Sequence, residues 1–191
     1  MAVLSVILLS GCSSKLMDPV YMEQVRPHGE ESTVTFFRSS ILGGSVQAPI
    51  AEEIRANDLS LVGICSTDTK IRHVVTPGKH RFVVGGESGS LLEANVAPRK
   101  HYYVRVSPRL GWVKARFAME AITPEELATE KVRKEIQDCA LVTPNADADR
   151  WFLNNKASML KKLNTAKSKF KNDEDASEHI LLPSYGIDEL Y

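Results

Sequence analysis

The chain has 191 residues, of which 43% are hydrophobic, so it is long enough for one domain with a buried core plus appended segments. Its 24 Lys and Arg residues balance 24 Asp and Glu residues, which leaves a formal net charge of zero at pH 7. A neutral chain lacks the basic footprint of a nucleic-acid-binding protein, so we expect no nucleic-acid partner.

The first segment is an uncharged, mostly apolar run that ends in Leu9-Ser10-Gly11-Cys12. The part from Ala2 to Leu9 is far shorter than the ~20 residues of a membrane-spanning helix but has the length of a signal-peptide core. No Lys or Arg precedes Lys15, whereas a signal peptide begins with positive charge. This departure favours a start upstream of Met1, the alternative being a chance apolar N-terminus. The alternative to an export signal as a whole is the first buried strand or helix of a cytosolic domain.

The ending Leu9-Ser10-Gly11-Cys12 resembles the lipobox of bacterial lipoproteins, in which a peptidase cuts just before the cysteine. The resemblance implies a signal peptide over residues 1–11 and acyl chains, such as palmitate, on the sulfur and the amine of Cys12. Two acyl chains suffice for stable anchoring, whereas one is marginal. By the sorting rule of such lipoproteins, Ser13 in place of Asp implies the outer membrane. We therefore expect a lipid-anchored protein that faces the periplasm.

Cys65 and Cys139 are the thiols that remain once Cys12 is acylated. In an oxidising periplasm they are candidates for a disulfide, and closing so long a loop would stabilise the fold by roughly 4 kcal/mol in the chain-entropy model. The alternative is two separate buried thiols that pack as small hydrophobic groups. The sequence leaves both open.

Residues 12–31 are polar and contain two prolines, which predicts a tether between the lipid and a folded domain. From residue 32 to residue 122, short segments rich in β-branched and aromatic residues alternate with turn signals. Two of them, Ile71 to Val75 and His80 to Val84, flank a Pro77-Gly78 turn and predict a hairpin. With no helices between the segments, the pattern predicts a mainly β chain with an antiparallel β-sandwich of about seven strands.

Three stretches of this region carry a further resemblance: Val75-Thr-Pro-Gly-Lys-His-Arg-Phe82, Leu91 to Val96, and His101-Tyr-Tyr-Val-Arg-Val106. They resemble a family of uncharacterised bacterial envelope lipoproteins, in which a Pro-Gly-x-His turn and a Tyr-Tyr strand belong to a small β-sandwich. The likeness covers about Ser32 to Thr123. It implies the sandwich fold and brings no catalytic or binding residue with it.

Residues 123–171 predict two helices. Thr123 is a cap with Pro124 at the first helical position, and an apolar stripe follows it to Cys139. A second helix runs from Ala146 to Lys171 with a seam on one side. The seam packs on its own domain or meets a partner. Its residues are Phe152, Met159, Leu163, Ala166 and Phe170.

The final segment, residues 172–191, is acidic at first and then apolar. An apolar terminus either docks on its own domain as an edge segment or binds another protein by strand addition. In the second case it would supply the partner-binding residues. These candidates are Leu181, Leu182, Tyr185, Ile187 and Leu190.

The sequence contains no recognisable catalytic arrangement, and we expect neither an enzyme nor a cofactor. His73, His80 and His101 lie on strands and could be neighbours, but no acid or Cys accompanies them in a metal-ligand pattern, so we expect no metal site. These features favour a non-catalytic module that binds an envelope protein or takes part in assembly. The alternative is a periplasmic small-molecule or glycan binder that uses Tyr102, Tyr103 and Trp112.

Overall fold

The computed structural model describes residues 14–39, 46–109, 116–170 and 179–188. Within these residues the chain is mainly β, with eleven strands in two mixed sheets and three α-helices. Cys12, Trp112 and Leu190 lie outside the described residues. None of the described helices is both long and apolar enough to cross a membrane.

The strands are β1 (Met17–Pro19), β2 (Ser32–Arg38), β3 (Ala48–Arg55), β4 (Asp58–Cys65), β5 (Thr69–Val75), β6 (Gly78–Gly85), β7 (Gly89–Val96), β8 (His101–Arg109), β9 (Arg116–Ala121), β10 (Ala140–Pro144) and β11 (Ile180–Leu181). The helices are α1 (Pro124–Leu127), α2 (Glu130–Gln137) and α3 (Ala146–Phe170). Short 3-10 turns cover Met22–Val25 and Pro183–Tyr185.

The strands form a six-stranded sheet in the order β1-β10-β5-β2-β8-β9 and a five-stranded sheet in the order β11-β7-β6-β3-β4. The predicted antiparallel arrangement is wrong in part, because β2 runs parallel to β8, β10 to β5 and β11 to β7. The predicted strand number is too low because β1, β10 and β11 come from segments outside residues 32–122. The sheets are therefore completed by the expected tether, the expected helical region and the expected tail.

The amino-terminal segment is part of the fold from Ser14 onward rather than a free tether. Ser14 is only 3% exposed, and Met17 of β1 is buried in the core. Strand β1 pairs with β10 from Met17 opposite Pro144 to Pro19 opposite Val142. The polar composition of this segment concealed it, because a three-residue edge strand needs only one inward apolar side chain.

The turn at Pro77 does not join a hairpin. Strand β5 belongs to the six-stranded sheet and β6 to the five-stranded sheet, so this turn carries the chain from one sheet to the other. Gly78 has a φ of 127°, a value that favours glycine. The hairpins of the second sheet are instead β3–β4, around Asn57, and β6–β7.

The main core lies between the two sheets. Phe36 of β2 and Phe82 of β6 meet edge to face, with ring centroids 5.2 Å apart. The inward residues of both sheets, among them Val34, Ile50 and Leu92, pack around this pair. Alternation along each strand therefore assigns one face to the core and the other to the helices.

Each outer face carries helices. Helix α3 covers the five-stranded sheet by placing Phe152, Met159, Leu163 and Ala166 against Val83 and its neighbours, so the apolar seam packs on its own domain. Helices α1 and α2 cover Phe37 and Tyr103 of the six-stranded sheet. The single helix expected after Thr123 is divided, because the Thr129 side chain accepts a hydrogen bond from the Val132 amide and starts a new helix.

Candidate ligand-binding cleft

The two cysteines singled out by sequence are free thiols, both buried, so the candidate disulfide is not formed in the structure. The Sγ atom of Cys65 donates to the Thr69 carbonyl at 3.6 Å, and that of Cys139 donates to the Glu135 carbonyl at 3.1 Å. Burial raises the pKa of Cys65 to about 12 and that of Cys139 to about 11. Thiols in this state are structural rather than reactive.

The apolar carboxy-terminal segment docks on its own domain. Leu181 of β11 is 1% exposed and lies beside Ala94 of β7, and Ile187 pairs with His101 through two backbone hydrogen bonds of 2.9 and 3.0 Å. Tyr185 packs against the main core, whereas Leu182 is 42% exposed. The candidate partner-binding residues that the structure describes are therefore mostly occupied within the chain.

The tyrosine surface considered for a glycan is not exposed. Tyr102 points into the main core and Tyr103 lies beneath α1 and α2, and both are buried. The Tyr102 hydroxyl accepts a hydrogen bond of 2.8 Å from the Ala97 amide. These tyrosines hold the sheets and the turn before β8 together.

A charged cleft lies on the outer side of the five-stranded sheet, with a volume of about 440 Å³. Its walls come from the ends of β3, β6 and β7, from the last turns of α3 and from Ile180 of β11. The outward side chains of Glu53, Arg81 and Glu93 lie side by side because Glu53, on β3, and Glu93, on β7, flank β6. The sheet therefore fixes a row of alternating charges along the floor.

An ion network occupies the centre of this floor. Glu53 is the hub: its carboxylate is 2.8 Å from Arg81 Nη1 and 2.5 Å from Lys167 Nζ, and its side chain is 5% exposed. Arg81 also contacts Glu93 at 2.8 Å. Burial on its own would raise the pKa of Glu53, but the hydrogen bonds from Lys167 and Arg81 outweigh it, and the pKa lies below its ordinary value.

Two further cations line the cleft without such partners. Within the described part of the chain, neither Lys79 nor Arg55 has a carboxylate oxygen within 4.0 Å, although both border the same cavity. Arg55 interacts at longer range with Asp58, which lies opposite it in the β3–β4 hairpin. Both side chains are exposed to solvent. The two carboxylates of the cleft are used by Arg81 and Lys167, so the rim of the cleft keeps an excess of positive charge.

A cluster of His73, Glu52 and His80 lies between the sheets, directly behind the cleft. Glu52 Oε2 is 2.8 Å from His73 Nε2, and Glu52 Oε1 is 2.6 Å from His80 Nδ1. His73 belongs to β5, on the other sheet, and the ring of Phe82 closes the inner side of the cluster at 6.0 and 6.2 Å from the two imidazoles. The carboxylate therefore connects the two sheets.

The hydrogen bonds fix the charge of His80. Its Nε2 is 2.7 Å from the Thr76 carbonyl, which can only accept, so Nε2 carries a proton. Burial would raise the pKa of Glu52, but hydrogen bonds from His73 and His80 lower it to about 2, so this group is a carboxylate and also accepts. His80 must then be protonated on both nitrogens, and its hydrogen bond to Glu52 raises its pKa above the ordinary value against the effect of burial.

The cluster does not have the form of a metal site. Both Glu52 oxygens are taken by imidazole N–H groups, and the second His80 nitrogen faces a carbonyl, so no common point receives three lone pairs. No group of three such ligands suited to a metal ion occurs among the described residues. His101 lies elsewhere, with Nδ1 2.8 Å from Thr33 Oγ1.

Sequence reasoning singled out the histidines but missed the residues that complete the site. Glu52 could have been found from the alternation of side chains along a strand. It lies two residues after the inward-facing Ile50, so its carboxylate belongs to the same face, toward the core. Glu53, Arg81 and Lys167 gave no comparable signal, because charged residues on outward strand positions and on a helix usually face solvent. Their association depends on how α3 crosses the sheet.

Comparisons with protein-family models, with curated proteins and with solved structures give no match.

Proposed function

We propose that the chain is a non-catalytic binding module of the bacterial cell envelope, held at the outer membrane by lipid on Cys12, and that its charged cleft binds an anionic ligand. The observation that carries the proposal is that Lys79 and Arg55 line the cleft with no carboxylate oxygen of the described residues within 4.0 Å of either; Asp58, opposite Arg55 in the β3–β4 hairpin, forms its ion pair with Lys156. Lys and Arg side chains in such a position are suited to a ligand carboxylate or phosphate.

The size of the cleft supports a small ligand or a short ligand segment. Its volume of about 440 Å³ falls within the range of roughly 300–1,000 Å³ that small-molecule sites occupy. Glu53 and Arg81 are fixed by their mutual contact, so the floor of the cleft is preorganised. Ligand binding therefore carries little entropy cost for ordering these two side chains.

A binding role fits the protonation states better than a catalytic role. A general acid or base works best when its pKa lies near the operating pH. Glu52 is held ionised, with a pKa of about 2, and Arg81 has its pKa raised by its hydrogen bond to Glu53. These two groups are each held in one charge state, which suits the binding of charge. His80, which also lines the cleft and whose pKa is raised, has both ring nitrogens engaged by Glu52 and the Thr76 carbonyl.

The anionic group can belong to a free small molecule or to an acidic segment of an envelope protein. The chemistry recognised is the same in both cases. The carboxy-terminal apolar segment is used inside the chain, so the cleft replaces it as the surface offered to a partner.

The binding test compares two probes, citrate and a tetrapeptide of Asp and Glu, by calorimetric titration of the lipid-free chain. We expect saturable binding to at least one, weakened about tenfold by Lys79→Gln and by Arg55→Gln, a loss of about 1.4 kcal/mol each. Lys131→Gln, which removes an exposed charge from α2, is the matched control and should bind as the wild type does. Absence of binding to both probes, or equal weakening by Lys131→Gln, rejects the cleft as the site.

The anchoring part of the proposal has its own test. Mass spectrometry of the protein from a bacterial host should find acyl chains on Cys12, and the Cys12→Ala variant should leave the membrane fraction. A Ser13→Asp variant should move to the inner membrane if the sorting rule applies. A wild-type chain with a bare Cys12 thiol and no membrane association would contradict this part and leave the cleft unaffected.

A further inference from the structure

Arg72 is a buried cation outside the cleft. It lies on β5, on the face of the six-stranded sheet away from the main core, and is only 5% exposed. Its Nη1 contacts the sulfur of Met22 at 2.8 Å, in the 3-10 turn Met22–Val25 that covers it. Thioether sulfur is a weak acceptor, so this contact does little to balance a guanidinium charge.

The other donors of Arg72 are unused. Its Nε and Nη2 atoms are buried and have no hydrogen-bond partner among the residues that the structure describes. Burial lowers the pKa of Arg72, yet an Arg side chain stays protonated in proteins, so the charge persists. No carboxylate of the described residues lies within 4.0 Å of it.

The geometry of the unused donors is specific. In the planar guanidinium group, Nε–H and Nη2–H lie side by side on one edge, and this edge binds two oxygens of a carboxylate or another oxyanion at once. A buried charge without a partner is strongly unfavourable, whereas one with a bidentate anion is compensated. An anion with two acceptor atoms would therefore both compensate the charge of Arg72 and accept from its Nε–H and Nη2–H.

Thr35 supplies a third unused group beside it. Thr35 of β2 lies directly opposite Arg72 in the antiparallel register, and its buried Oγ1 also has no hydrogen-bond partner in the described part of the chain. Directly opposed residues of an antiparallel pair have their Cβ atoms about 5 Å apart. In the adjacent row, Thr33 and His101 are already hydrogen-bonded to each other, and burial together with the charge of Arg72 lowers the pKa of His101.

We propose that Arg72 and Thr35 form a buried site for a small oxyanion or carboxylate, enclosed by the 3-10 turn Met22–Val25. The Nε–Nη2 edge binds two oxygens of the anion and the Thr35 hydroxyl donates to one of them. The site lies on the other sheet from the charged cleft, so it stands independently of the proposed function. The covering turn has no buried residue of its own and is the element that would open for entry.

The test measures the melting temperature of the chain in sodium formate against sodium chloride at equal ionic strength. In about 100 mM formate we expect a rise of about 3 °C, which corresponds to a site with a Kd of about 10 mM. Arg72→Met and Thr35→Val should abolish or reduce this rise. Arg99→Met, the same change at an exposed arginine, should keep it, as should the double variant Lys79→Gln/Arg55→Gln, which alters only the cleft.

Two outcomes would overturn the proposal. If the melting temperature of the wild type is the same in both salts, the site does not select an oxyanion and the proposal fails. If Arg72→Met or Thr35→Val responds to formate as fully as Arg99→Met does, the anion binds elsewhere. Should Arg72→Met fail to fold, Thr35→Val decides between these results, because it removes only the hydroxyl.

Discussion

His73 of the six-stranded sheet and Glu52 of the five-stranded sheet are joined by a contact of 2.8 Å between Nε2 and Oε2. The same carboxylate receives the His80 imidazolium at 2.6 Å. Polar contacts across a sandwich core are costly unless every group is satisfied, and here each oxygen of Glu52 has a donor. The cluster therefore connects the sheets at the edge of the core nearest the cleft.

This cluster predicts how stability depends on pH. The folded pKa of Glu52 is lowered, so its contribution is present above pH 4.5, the ordinary value, and is lost as the pH falls toward about 2. The folded pKa of His80 is raised, so its contribution is complete below its ordinary value and is lost as the pH rises through the folded pKa. Urea unfolding should show the largest contribution near pH 5–6, declining on both sides.

The Glu52→Gln substitution removes the charge that this dependence requires. The fall in the pKa of Glu52 from 4.5 to about 2 corresponds to a stabilisation on the order of 3 kcal/mol, so we expect a loss of about that size at pH 6. Above the folded pKa of His80 the difference between variant and wild type should shrink. Equal destabilisation at all pH values would contradict the ionic account. Glu93→Gln, at a 40% exposed side chain, is the control.

Glu53 should contribute far more to the stability of the fold than Glu93, the other carboxylate of the cleft. It is the nearly buried partner of both Arg81 and Lys167, and removing one member of a buried ion pair leaves uncompensated charge. We expect Glu53→Gln to lower the free energy of unfolding by about 1–2 kcal/mol, because solvent partly screens the exposed parts of Arg81 and Lys167, and Glu93→Gln by less than about 0.5 kcal/mol. Chemical denaturation measures both; similar losses would mean that Glu53 is solvated in solution.

The carboxy-terminal segment offers a matched pair of neighbours. Leu181 is 1% exposed and Leu182 is 42% exposed. Leu181→Ala should cost about 2–4 kcal/mol, whereas Leu182→Ala should cost less than about 0.5 kcal/mol. Thermal or urea unfolding of the two variants tests whether the segment is docked on its own domain. Equal and small effects would indicate that it is released in solution.

Gly89 tests the closeness of α3 to the five-stranded sheet. A Cβ atom at this position would lie 2.8 Å from the backbone oxygen of Lys162, which cannot turn aside as a flexible side chain would. We expect Gly89→Ala to destabilise the fold by about 1–3 kcal/mol, because α3 must shift. Gly29→Asn is the control, since the positive φ of Gly29 suits Asn and no atom of the described residues lies within 4 Å of a Cβ placed there. A neutral Gly89→Ala would mean that α3 sits farther from the sheet.

Thiol titration separates the two arrangements of Cys65 and Cys139. Because both are free and buried, with pKa values raised to about 12 and 11, neither should react with a thiol reagent at pH 8 in the native protein. Both should react in denaturant without reductant. Recovery of these two thiols only after reduction would establish a disulfide instead.

The local features of the sequence predicted the local structure well. The Thr123 cap and the apolar seam of α3 follow from side-chain chemistry within a few residues, and the structure contains both. The mainly β architecture with helices also follows from these patterns.

The features that failed depend on distant contacts. Strand β10 pairs in parallel with β5, about seventy residues earlier in the chain, and nothing in Ala140–Pro144 specifies that neighbour. The turn at Pro77 has the chemistry of a hairpin, but which sheet receives β6 depends on the pairing with β3. The cleft shares this origin, since Lys167 reaches Glu53 only after α3 has crossed the sheet.

The burial of Ser14 limits how far the folded domain can lie from a lipid attached to Cys12. If Cys12 carries the proposed lipid, only Ser13 separates the acylated residue from a serine that is already fixed against the sheet, and two peptide steps extend about 7 Å. The domain would then lie against the lipid headgroups, because no long flexible linker would separate it from the membrane. Ligands and proteins would have to approach the bilayer surface itself to meet it.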